Sequence, residues 1–193
     1  MSGALELGAR VREDIAAVEA LRSGSCAPPW ACCADPGRSA HGEDFAIVAL
    51  RVGEELHDAA GEAGTGAGAA GEAGTGAGGD DVARPDAAHE EFETERWGVV
   101  LALDARWGAH RTLSTVPYEE REAAGAVVPP FFAELIELGY SGDLQIWGEG
   151  GRSAGIGVGQ MDKEEPVVLF AVVLGPACDA GRPVRPDRPG RGT

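Results

Sequence analysis

The chain has 193 residues, 44% of them hydrophobic, and 32 acidic against 16 basic side chains give a net charge of −16. Such an acidic body repels nucleic acid and anionic lipid, which argues against nucleic-acid binding by the folded part and against membrane attachment, and it attracts a basic protein partner. The length sets one domain with appendages, and residues 59–95, with nine acids against one Arg, hold half of the net charge.

Glu6, Glu13 and Asp14 stand where a secretory signal would need an apolar core, and no run reaches the ~20 apolar residues of a membrane span. The expected compartment is the cytoplasm, in which Cys26, Cys32, Cys33 and Cys178 remain thiols.

Leu7, Val11, Ile15, Val18 and Leu21 recur at helical spacing, and Ser23-Gly24 stops the helix they define. An irregular loop follows over 25–42. Phe45 to Val52 then reads as a strand that is apolar on both faces. Residues 59–78 are the decapeptide Ala-Ala-Gly-Glu-Ala-Gly-Thr-Gly-Ala-Gly in two tandem copies. It offers no apolar face to bury, so the expectation is a disordered insert over about 59–91 within one domain spanning 1–176.

The run Trp97 to Asp104 reads as a second apolar strand, turned back by Ala105 to Gly108 into a more polar edge strand over 109–116. Pro117 opens a helical region with Glu119, Glu120 and Glu122 in its first turns. Phe131, Phe132, Leu135, Ile136 and Leu138 continue it as an apolar stripe, with Gly139 as its C-terminal cap. Asp143–Gly148, Gly155–Asp162 and Pro166–Leu174 are expected strands, the last one buried on both faces. Residues 177–193 form an expected disordered tail, in which Arg182, Arg185, Arg188 and Arg191 recur every third residue.

These elements predict an α+β fold: a mostly antiparallel sheet of about six strands with apolar central strands, covered by an N-terminal helix and a central helical region. Two helical regions for two apolar faces leave a shortage, which a loop or a second copy of the chain would fill by self-association.

Functional signals are sparse. Cys26, Cys32, Cys33 and His41 lack the Cys-x-x-Cys spacing of a zinc site, and no metal is expected. In the glycine cluster 148–159, Arg152-x-x-Gly155-x-Gly157 resembles the pyrophosphate loop of GNAT-type acetyltransferases. That resemblance implies an acyl transferase whose helix opens after Gly157. The competing reading puts Gly155, Gly157 and Gly159 on one face of a strand, with Ile156 and Val158 on the other, and needs no cofactor. Asp104, Arg106, Trp107, His110 and Arg111 cluster at one end of the expected hairpin as a candidate surface site. No nucleophile or metal motif accompanies them. The expected function is a non-catalytic, acidic binding or regulatory protein, with the acyl transferase as its alternative.

Overall fold

Val99, Val100 and Leu103 are fully buried, whereas Leu101 between them is 68% exposed. Only a helix distributes neighbouring residues in this way, and residues 97–104 belong to one. In the computed structural model, which describes residues 2–25, 33–54, 85–148 and 151–176, helix α2 runs over Pro85–Trp107. This corrects the expected strand at 97–104 and its hairpin. It also corrects the far end of the expected insert, since residues 85–91 are helical. The spacing of Phe92, Glu95, Arg96, Val99, Val100 and Leu103, all buried, follows the 3.6-residue period that outweighs the contiguous apolar run. The tandem repeat and the Arg/Pro tail lie outside the described residues.

A 3-10 turn and a short strand stand inside the expected irregular loop over 25–42, and the remaining elements fall near their expected positions. Helix α1 spans Ser2–Ser23, and a single 3-10 turn at Pro36–Arg38 leads into the two-residue strand β1, Ala40–His41. Strand β2 is Phe45–Val52. After α2 come β3, Arg111–Ser114, α3, Val116–Ala123, and α4, Pro130–Glu137. Gly139 follows α4 at φ 70°, and Tyr140 N–H returns to Leu135 O at 2.8 Å, the expected cap. Strands β4, Asp143–Trp147, β5, Ser153–Gly159, and β6, Val168–Leu174, complete the set.

The six strands form one sheet in the order β1-β2-β6-β5-β4-β3, antiparallel at every pairing. The fold is α+β. Every residue of β6 is buried, because helices cover both faces. Ile15, Val18 and Leu21 of α1 and Phe92, Val99, Val100 and Leu103 of α2 pack on Val48, Leu50, Ile156, Leu169 and Ala171. On the opposite face, Tyr118 of α3 and Phe131, Phe132 and Leu135 of α4 pack on Ile47, Leu144, Ile146, Phe170 and Val172. Each large apolar side chain so buried contributes about 1.5–3 kcal/mol. The extra helix α2 resolves the shortage of cover, and neither face requires a second copy.

Residues 153–159 form an inner strand hydrogen-bonded to both β4 and β6. Its glycines all face α3 and α4. A Cβ on Gly157 would lie 2.6 Å from Phe170 Cζ, and one on Gly159 would lie 2.7 Å from Tyr140 Cδ1. The missing side chains therefore make room for aromatic rings of the core. After Gly159 comes a turn to β6, not a helix, so the segment lacks the helix start that the acetyltransferase resemblance requires.

Candidate functional site

The described surface has two places where polar chemistry is concentrated. The first contains the expected site. Gly108 ends α2 at φ 86°, a left-handed conformation that favours glycine, and the reversal returns His110 to the last turn of the helix. The Asp104 carboxylate accepts from His110 N–H at 3.0 Å, from His110 Nδ1 at 3.0 Å and from Trp147 Nε1 at 2.9 Å. A carboxylate only accepts, so these contacts place a proton on Nδ1 of the imidazole. Burial raises the Asp104 pKa, but the bonds from Trp147 and His110 outweigh it and hold the group below its ordinary value.

Aromatic edges build the surroundings. His110 meets Trp147 at 5.8 Å between centroids and Trp97 at 6.4 Å. Trp107 meets Trp147 at 6.0 Å, and the Arg22 guanidinium sits 4.2 Å above Trp107. The structure thus joins Asp104, Trp107 and His110 around Trp147, an indole that the sequence reading left out of the site. The remaining two expected members are not shown to join this group. Arg106 pairs with Glu19 of α1, and Arg111 begins β3 opposite Ile146.

The second place went unread in the sequence. Strand β2 carries a β-bulge: Ala49 lies opposite Phe170, but Arg51 lies opposite Leu169, so Leu50 is the extra residue. Regular alternation would aim Arg51 at α3 and α4. The bulge instead turns it toward the α1/α2 layer, the re-aiming that such irregularities accomplish. There Arg51 meets Asp14 of α1 at 3.1 Å and Glu95 of α2 at 3.1 Å. Arg10 pairs with Glu91 at 2.8 Å and approaches Glu95 at 3.8 Å.

Glu95 is fully buried and Asp14 is 3% exposed. Burial is the largest influence on both carboxyls and raises both pKa values, with Arg51 opposing it. The two acids influence each other's titration, and neither Glu95 oxygen has a hydrogen-bond partner among the described residues, so its burial is offset by the charge of Arg51 and Arg10. Arg10, Arg51 and Glu91 also line a cavity of about 640 Å³ at this end of the sheet. The signal in the sequence was a charge inside an apolar pattern: Asp14 within the Val11–Val18 stripe, Arg51 between Leu50 and Val52, and Glu95 between Phe92 and Val99.

Of the loop thiols, Cys33 lies 3.0 Å from Ser39 Oγ, while Cys26, Cys32 and Cys178 lie outside the described residues. No helix among the described residues is long and apolar enough to cross a membrane. Comparison with known proteins finds no matching family model, curated protein or solved structure.

Proposed function

We propose that this chain is a non-catalytic binding protein for a basic protein partner, which docks on the outward face of α2. The observation that carries the reading is a pair of exposed apolar side chains, Trp97 (45% exposed) and Leu101 (68% exposed), one helical turn apart. Glu90 and Glu93 precede them on the same face, at steps of three and four residues. Residues at these spacings share one helix face. Exposed Trp is a frequent anchor of protein interfaces, and a partner's positive rim would complement the flanking acids. The net charge of −16 supports long-range attraction of such a partner. The Asp104–His110–Trp147 cluster then acts as a brace that fixes the turn and the edge of Trp97, not as a reacting group.

The test titrates isotope-labelled protein with an amphipathic Lys/Leu peptide at low salt and follows its amide and indole resonances. Shifts should centre on Trp97 and Leu101, and Trp97→Ala or Leu101→Ala should weaken binding by at least about 1 kcal/mol. Added salt should weaken it as well, because the charges face solvent. Equal binding of a Glu/Leu peptide, or affinity indifferent to both substitutions, would overturn the proposal.

A further inference from the structure

We infer that the arginine-rich segment 182–191 of this same chain docks on the outward face of α2 and competes there with the basic partner. The inference rests on the reading of that face as a docking surface for positive charge, and it adds the regulation of that surface.

The segment departs close to this face. Leu174 closes β6 between Phe45 and Ser153, and Val173, Ala154 and Trp147 stand in one row across β6, β5 and β4. Two strand spacings of about 4.8 Å separate Val173 from Trp147. The rings of His110 and Trp97 continue from Trp147 in steps of 5.8 and 6.4 Å. Trp97 thus lies roughly 20–25 Å from the end of β6. The chain from Pro176 to Arg185 spans about 28 Å at ~3.1 Å per residue, enough to reach the indole.

The chemistry fits as well. Arg182, Arg185, Arg188 and Arg191 alternate with Pro183, Pro186 and Pro189, with Asp187 as the only acid among them, in a chain of net charge −16. Proline-rich segments dock on exposed aromatic rings as polyproline II helices, whose three-residue turn sets all four arginines on one edge about 9 Å apart. On α2, Trp97 and Glu90 are seven residues apart, about 10 Å along the helix. Arriving from the His110 end, Val184 would cover Leu101, Arg185 would stack on Trp97 and Arg188 would meet Glu90. The indole already takes one guanidinium: Arg96 lies 4.8 Å from its centroid, its charge met by Glu93, and the ring is still 45% exposed. A tethered segment acts at an effective concentration on the order of mM. Occupying the face about nine-tenths of the time, it weakens a competitor about tenfold.

The experiment compares two isotope-labelled full chains at low salt, the parent and one combining Arg182→Gln, Arg185→Gln, Arg188→Gln and Arg191→Gln. The Trp97 indole and Leu101 methyl resonances should differ between them, and the Lys/Leu peptide should bind the substituted chain about tenfold more tightly. Reciprocally, Trp97→Ala in a folded full chain should lower the heteronuclear NOE of Arg185 and Arg188. Unchanged Trp97 and Leu101 resonances overturn the inference even if peptide affinity rises, because the altered net charge alone then accounts for the rise. Differences that vanish on dilution assign the contact to the segment of a second copy and overturn it too. A peptide that binds both chains alike, with Trp97 unmoved, removes the segment's role and leaves the docking face standing. One that binds neither chain removes the docking face and the inference with it.

Discussion

Glu95 sits fully buried between α1, α2 and β2, with Arg51 at 3.1 Å and Arg10 at 3.8 Å. Its pKa is raised, first by burial, so the folded chain holds a proton that the unfolded chain releases at lower pH. The stability this supplies is complete below the ordinary carboxylate range and is lost as pH rises through the folded value. Asp14 works with the same sign. Asp104, held below its ordinary value by Trp147 and His110 against the effect of burial, works with the opposite one: its contribution is present above the unfolded pKa and lost as pH falls. Urea denaturation across a pH series separates these effects. Glu95→Gln, which mimics the protonated acid, should lose less stability than the wild type as pH rises out of the carboxylate range, and identical slopes would refute a raised Glu95 pKa. Glu95→Ala should cost about 2–3 kcal/mol at neutral pH, because it empties a fully buried position and strips a partner from the partly exposed Arg51 guanidinium. Gly157 supplies a simpler case. A methyl group there meets Leu144 and Phe170 at 2.5 and 2.6 Å, so Gly157→Ala should destabilise by about 1–3 kcal/mol through overpacking. A mutant as stable as the parent would mean that those rings can retreat.

At the scale of elements, α2 shows how periodicity and contiguity compete. The run Trp97-Gly-Val-Val-Leu-Ala-Leu looks like a buried strand when read locally. Extended back to Phe92, the same residues show helical spacing, with Trp97 and Leu101 left outside. A window of seven residues spans two helical turns and does not separate the alternatives; a window of fifteen does. The glycines of β5 were legible for the opposite reason. Alternation with Ile156 and Val158 leaves a strand as the only element that sorts the residues cleanly. The bulge at Leu50 was not legible, because a single inserted residue alters no composition and only slightly blurs an already apolar strand. Without it, Arg51 appears as a stray charge; with it, Arg51 joins Asp14 and Glu95. The expected surface site was readable only in part. Asp104, Trp107 and His110 are near in sequence, whereas Trp147 reaches them through the pairing of β3 with β4.

At the scale of the molecule, two helical layers enclose one sheet, and the polar groups concentrate at the two ends of the α1/α2 side: Asp104–His110–Trp147 at one, Arg10–Arg51–Glu95 at the other. The pairing of β2 with β6 joins residues 45–52 to residues 168–174, so the middle of the sheet depends on contacts distant in sequence. Seven buried residues of β6, at about 1.5–3 kcal/mol for each large side chain, amount to as much as the usual net stability of a domain, about 5–15 kcal/mol. A chain cut before Val168 should therefore show no cooperative thermal transition. A calorimetric peak close to that of the full chain would show that the remaining strands suffice.

The position of β6 also bears on how the protein is made. Third in space but last in sequence among the described strands, it has to slot between β2 and β5 after both have left the ribosome. Until then β2 and β5 present apolar edges with no ladder partner, the kind of exposure that invites aggregation during synthesis. Before β6 emerges the chain can pair β1 with β2, β3 with β4 and β4 with β5 and pack α1 on α2, and nascent molecules stalled short of Val168 should be the ones that chaperones retain.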